Sequence, residues 1–312
     1  MQLRDAAGTI ARWIVLQAQK TSRKGAGGYS AEGFAARGDT RPFPQADSER
    51  EHFEDFFGFF PDFDLKAAIR DKDILDFGSG YGGKTVEYKL QCGAKRVCGV
   101  EPFAHVIDLS RKYAESRGAH GVEFKVCSQT QIPYPDASFD VVLSHDVLEH
   151  VQDPRISLGE IRRVLRPGGL SVNVFPVYLG AFSHHLDYVV RVPGLHWVFS
   201  PRTLVRAVNY VLARNPQFGI ALQPEPGQSF DGSREVLPTL NGLSGEHFET
   251  IFDGFETLSL QRHVMSRFGL GRIMATIAHS RLPVQLRDAV TSSVSCMLRK
   301  PGLEPWNSSS RW

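Results

Sequence analysis

The chain has 312 residues, 42% of them hydrophobic, enough apolar surface for a sizeable core, which favours a folded globular protein. With 36 lysines and arginines against 34 acidic residues, a formal charge of +2, there is no strong electrostatic footprint for nucleic acid, and a small-molecule partner is expected. No run of about 18 uncharged apolar residues occurs, which predicts no membrane span, and Cys92, Cys98, Cys127 and Cys296 make no CxxC pair, which predicts buried thiols in a reducing, cytoplasmic setting.

In chain order, the run Trp13 to Leu16 between Arg12 and Lys20 suits an amphipathic helix rather than a signal peptide. A Gly-rich stretch, Lys24-Gly-Ala-Gly-Gly28, cannot hold a core by itself. Phe53, Phe56, Phe57, Phe59, Phe60 and Phe63 then form a dense aromatic cluster, which reads either as packing against a main domain or as one wall of a substrate pocket. Residues 1–70 are read as an N-terminal helical and aromatic extension. From Asp73 the pattern becomes a βαβ series, with strands expected at 73–77, 96–101, 122–127, 139–144 and 169–175. Helices are expected at 83–92, 103–117 and 154–165, the last with Pro154 in its first turn and Gly168 just past its end. Residues 176–243 break the alternation and carry many aromatic, Pro, Gly and His residues, an irregular insert placed to cover a site as a lid. A capped helix at 244–253 beginning Ser244-Gly-Glu-His, a strand at 255–264, a helix at 283–291 and a strand at 292–299 complete the reading. The sum is an α/β domain over 71–312 with a seven-stranded, mostly parallel sheet and helices on both faces.

The strongest local signal is Ile74-Leu-Asp-Phe-Gly-Ser-Gly-Tyr-Gly-Gly83, a strand running into a glycine-rich turn that opens a helix. Such a turn lets the backbone approach a ligand closely. Gly78, Gly80 and Gly83 also satisfy the Rossmann dinucleotide spacing, a weak signal alone. The next strand ends at Glu101, 21 residues after Gly80, where a carboxylate can accept hydrogen bonds from a ribose diol. Asp76 decides between cofactors: a carboxylate two residues before the first glycine suits a cationic amino-acid group and repels a pyrophosphate.

Five blocks in order resemble a class I S-adenosylmethionine-dependent methyltransferase of the ubiquinone/menaquinone-biosynthesis group. They are Asp76 to Gly82, Glu101, Ile132-Pro-Tyr-Pro-Asp-Ala-Ser-Phe-Asp-Val-Val142, Leu148-Glu-His-Val151 and Leu165-Arg-Pro-Gly-Gly169. The resemblance covers about residues 73–175 and implies a Rossmann-like fold with S-adenosylmethionine as cofactor. It implies that Asp76, Gly78, Ser79, Gly80 and Gly82 line the methionine and ribose part and that Glu101 holds the diol. Pro102 or Phe103 would pack on the adenine, and Ser128 or Gln129 would contact its amine where the family has an Asp. Ser144 and His145 would stand beside the methionine part and the transferred methyl.

Methyl transfer from a sulfonium is an in-line displacement in which alignment and a dry cavity supply much of the rate, and a base adds roughly 10²–10⁴-fold if the acceptor must lose a proton. His145 and His150, just beyond the fourth strand, are the candidate bases, with a structural role in the loop as the alternative. His184, His185 and Asp187 form a polar cluster in the covering segment, followed by Tyr188, and His184, His185 and Tyr188 are candidate substrate contacts. A Pro193 to Ser200 stretch recurs after the fifth strand in related methyltransferases, as a common lid design. No metal is expected: His145 to His150 reads HxxxEH, neither HExxH nor HxxEH, and adjacent His184 and His185 diverge on a helix. No G-x-S-x-G elbow appears, and Ser144-His-Asp-Val stands where a nucleic-acid methyltransferase would carry Asn/Asp-Pro-Pro-Tyr/Phe. The expected function is methyl transfer to O, N or C of a small molecule. The competing readings are a non-catalytic binding protein of the same fold and a nicotinamide-dependent oxidoreductase.

Overall fold

The computed structural model describes residues 2–21, 34, 38–128, 130–186, 189–190, 192–214, 221–264 and 271–302. Helix α1 (Gln2–Thr21) is followed by α2 (Pro44–Glu51), α3 (Phe53–Gly58) and α4 (Leu65–Ile69). Strands and helices then alternate: β1 (Asp73–Phe77), α5 (Gly83–Leu90), β2 (Arg96–Glu101), α6 (Ala104–Ser116), β3 (Val122–Val126), β4 (Phe139–His145), α7 (Pro154–Val164) and β5 (Leu165–Phe175). Next come α8 (Leu195–Val198), α9 (Pro201–Leu212) and the short pair β6 (Gly227–Gln228) and β7 (Glu235–Val236). The described chain closes with α10 (Phe248–Ile251), β8 (Glu256–Val264), α11 (Gly271–Ala278), α12 (Val284–Ala289) and β9 (Thr291–Arg299).

The main sheet has seven strands in the order β3-β2-β1-β4-β5-β9-β8. The pairs from β3 through β5 are parallel, and β9 runs antiparallel to both β5 and β8. The central strands are buried on both faces, which is why β1 and β2 read as continuous apolar runs rather than alternating ones. On one face, Leu75, Phe77, Val100 and Val142 pack with Leu158 and Ile161 of α7 and with Phe248 and Phe252. On the other, Ile74, Val97, Val141, Leu143 and Val172 receive Phe53, Phe56 and Phe60, Leu65 and Ile69 of α4, and Tyr88 of α5.

That second face corrects the division at residue 70. Helices α3 and α4 cover the sheet as α5 does, so residues 53–69 complete the central core instead of extending from it. A second correction concerns Gly168, expected to end a helix. Helix α7 passes directly into β5 through an extended Leu165, and Gly168, at φ 78°, turns inside the strand and donates its N–H to Lys300 O at 2.9 Å.

The insert after β5 is more regular than its composition suggests. Within 176–243, α9 runs for 12 residues, with Pro201 in its first turn and the Ser200 side chain accepting from the Thr203 N–H. Its buried Leu204, Val208 and Val211 pack with Ala11 and Val15 of α1, and with Val236 and Leu240, into a second core. The aromatic and apolar residues there are largely committed to that core. Expectations for Lys24 to Gly28, Gln129, Asp187 and Tyr188 lie outside the described residues. Among the described residues, no helix is long and apolar enough to cross a membrane.

Candidate functional site

Strand β1 pairs with β2 on one side and β4 on the other, so the chain's crossovers leave it in opposite directions. A crevice opens at such a switch point, beyond the carboxyl ends of the strands. A cavity of about 1010 Å³ lies there. The end of β1 and the loop after it bring Asp76, Gly78, Ser79 and Gly80 to it; the end of β2 and the residue beyond bring Glu101 and Pro102; the turn after β3 brings Ser128; and β4 and its loop bring His145 and His150. Gly78 has φ 81°, and a Cβ on it would collide with the Val147 side chain, so the loops after β1 and β4 meet only because this residue is glycine. The N–H groups of Gly78 and Ser79 both donate to Val100 O at 3.0 Å, pinning the turn to β2.

Of the opposite wall, sequence reasoning anticipated only Phe59, from the aromatic cluster. Glu49, His52, Asp55 and Phe59 line it from α2, α3 and the turn beyond, together with Lys84 of α5 and Asp146. Glu49 accepts from the N–H groups of Tyr81 and Gly83 at 2.9 and 2.8 Å, and burial nevertheless pushes its carboxyl up to about 7. Burial also pushes Asp76 up to about 6, although Thr85 Oγ1 donates to its Oδ2 at 2.6 Å. Glu101 rises to about 7, chiefly by burial, against the opposing bond from the Gly80 N–H. Lys84 Nζ sits 2.5 Å from His145 Nδ1. Burial lowers both, His145 to about 4, and the imidazole lies against Phe56 and Phe59 with ring centroids at 5.2 and 5.9 Å. His145 is therefore neutral near pH 7.

Residues Gly78 to Thr85 also fit the spacing of a phosphate-binding loop, Gly-x₄-Gly-Lys-Thr. The geometry opposes that use. The N–H groups of Tyr81 and Gly83 hold the Glu49 carboxylate, and the Thr85 hydroxyl holds Asp76. Acidic groups thus stand where a phosphate would bind, which argues equally against a dinucleotide pyrophosphate.

Several expected contacts lie elsewhere. Gly82 caps α5 at φ 85° and faces Phe124 and Ser110 in the interior, so it does not line the cavity. Ser144 is 1% exposed and sits on the strand face opposite to His145, because side chains alternate along β4. His184 is a structural residue: its Nε2 lies 2.9 Å from Val192 O, and its Nδ1 accepts from the Leu186 N–H at 3.0 Å. His185 does not line the cavity but lies beside His150, with ring centroids 4.9 Å apart and the rings tilted by 57°. Of residues 176–243, only Thr239 belongs to the described lining. All four thiols are unpaired, and Cys127 borders the cavity.

The methyltransferase-domain family matches residues 75–172, the span that carries β1 through most of β5. Over 111 residues the chain is 34% identical to an uncharacterized methyltransferase of Schizosaccharomyces pombe, covering 34% of this chain and 40% of that protein. Over 103 residues it is 34% identical to an O-methyltransferase of Aspergillus nomiae, covering 33% and 45%. The family match covers under a third of the chain. The matched region thus spans less than half the length of these relatives. A solved chain from the Haloferax volcanii complex of the Trm112 methyltransferase activator with a methyltransferase shares the fold across 88% of this chain and 98% of its own, at TM-score 0.50 and 14% identity.

The residues lining the cavity fit S-adenosylmethionine, the cofactor that the sequence resemblance implies. Ser79 Oγ borders the cavity, buried, with no hydrogen-bond partner among the described residues. Asp76 and Glu101 are acids whose charge is strained by burial, as expected where a ligand's ammonium and hydroxyl donors complete the site. The strain has a measurable sign. A carboxyl raised in the folded state contributes stability that is present at low pH and lost as pH rises through the folded value. Ligand-free Glu101→Gln should therefore match the wild type at pH 4 and exceed it at pH 8 by about 1–2 kcal/mol, allowing for partial exposure. Urea unfolding at the two pH values checks this; a variant equally destabilised at both would contradict it.

Proposed function

We propose that this chain transfers a methyl group from S-adenosylmethionine to O, N or C of a small-molecule acceptor in the cavity beyond β1 and β4. The observation that carries the reading is one continuous cavity, with Asp76, Ser79 and Glu101 on one side and Phe59, His52, Asp55 and the Lys84–His145 pair on the other. When bound, the cofactor supplies an electrophilic methyl on a sulfonium. Asp76 holds its ammonium end, Glu101 its ribose diol, and Pro102 or Phe103, the latter 57% exposed, flanks its base. Ser128, in an isolated bridge with Gln131, is available to the adenine amine.

On the acceptor side, Phe56 and Phe59 dry the surroundings of His145, and exclusion of water strengthens the polar contacts that align the reactants. His145, neutral near pH 7, accepts from Lys84 at Nδ1, so the pair can take up or relay an acceptor proton. His150 donates Nδ1–H to Thr239 O at 2.6 Å and keeps its Nε2 lone pair. The near-balanced charge and the enclosing walls support a small molecule over nucleic acid, and the four unpaired thiols support a reducing, cytoplasmic setting. The test is transfer of label from methyl-labelled S-adenosylmethionine into the small-molecule fraction of a cell extract. Label in that fraction, lost with Asp76→Ala, supports the reading; label confined to RNA or protein refutes it.

A further inference from the structure

At the rim of the cavity, Glu149, His150 and His185 bring a carboxylate oxygen and two imidazole nitrogens within 4.8 Å of one another. Glu149 is 3% exposed, and neither carboxylate oxygen has a hydrogen-bond partner among the described residues. A carboxylate buried without donors is costly, and pairing with a cation offsets that cost. His150 Nε2 faces Glu149 Oε1 at 3.6 Å, while its Nδ1 is 2.6 Å from Thr239 O. Because a carbonyl only accepts, Nδ1 carries a proton, and in the neutral ring the lone pair is then on Nε2, the orientation that a backbone carbonyl imposes on metal-ligating histidines. The turn carrying Glu149 and His150 is fixed from below: Asn241 Nδ2 donates to Leu148 O and Val151 O at 2.7 and 2.8 Å.

We propose that Glu149, His150 and His185 form a binding site for a divalent transition-metal ion such as Zn²⁺ beside the cavity, which His150 lines. Two imidazoles and one carboxylate suit zinc and its first-row neighbours, and three protein ligands leave a coordination position open. Bonds of about 2.1 Å place neighbouring ligand atoms roughly 3–3.5 Å apart. The Glu149–His150 pair is already near that spacing, and the His185 ligand atom lies within 4.8 Å of both. Local spacing excluded a metal from His145 to His150 because the third ligand comes from the segment after β5. If the methyl-transfer reading holds, the site also narrows the acceptor class: a molecule with an oxygen donor, whose hydroxyl the ion acidifies. His150 then gives its lone pair to the ion, and the Lys84–His145 pair is left to handle protons.

The test uses the full chain without S-adenosylmethionine, titrated with Zn²⁺ by calorimetry and with Co²⁺ by visible absorption. The expected result is one equivalent of micromolar or tighter affinity and cobalt ligand-field bands. Glu149→Gln and His185→Ala should each weaken binding at least tenfold while S-adenosylhomocysteine affinity stays within twofold. Should His185→Ala fail to fold, the isosteric Glu149→Gln carries the test alone. No binding of either ion, or binding that Glu149→Gln leaves within twofold, overturns the site, and cofactor affinity, measured separately, shows whether the methyl-transfer reading stands.

Discussion

Asp76→Ala is expected to weaken S-adenosylmethionine binding at least about 100-fold, roughly 3 kcal/mol, while the protein stays folded. Asp76 is 6% exposed at the end of β1, and its one described side-chain hydrogen bond comes from Thr85. A ligand ammonium beside it would gain a charge-assisted bond in a site walled off from water, where such bonds exceed their value in solvent. Stability should suffer little. The substitution removes a carboxyl that burial already pushes up to about 6, and it leaves only the Thr85 hydroxyl without its acceptor. Asp76→Asn separates charge from shape, because it keeps an acceptor for Thr85 and loses the negative charge. Calorimetric titration of both variants reads the effect, and affinity retained within threefold by Asp76→Ala would contradict the assignment.

Phe56→Ala should cost about 3–5 kcal/mol of stability, the range for truncating a fully buried phenylalanine. Phe56 is completely buried and joins Phe57 and Phe60 to the sheet face formed by Ile74, Val141 and Leu143. It also forms one wall against His145. Truncation admits water beside that imidazole, so its pKa should climb from about 4 toward the ordinary histidine value. Urea unfolding measures the first effect and an NMR titration of His145 the second. A loss below 1 kcal/mol would mean that α3 does not form part of the core.

The sheet was legible because burial on both faces imposes an apolar code on each central strand, and six of the seven main strands begin within one residue of expectation. The exception, β5, starts at Leu165, because Arg166 to Gly169 read as helix exit and turn while the backbone is already extended. The grouping of the residues proposed for the cofactor was legible for a related reason: Asp76, Gly78, Ser79, Gly80 and Glu101 lie on one strand–turn–helix unit and its neighbour, where sequence spacing and spatial spacing coincide. The acceptor side was not. Glu49 reaches Tyr81 and Gly83 across more than thirty residues, and Lys84 meets His145 across sixty-one. No local period encodes either contact. The same limit explains Ser144, which the family resemblance places at the site and strand alternation turns away, and His184, whose imidazole is consumed by backbone partners of its own loop.

The direct measurement of the central claim is calorimetric titration of the purified wild-type chain with S-adenosylmethionine and S-adenosylhomocysteine at pH 7.5. Micromolar binding of both at one equivalent, weakening as pH falls through the range in which Asp76 and Glu101 take up protons, is the predicted result. No binding by a chain shown to be folded by its cooperative unfolding would contradict it.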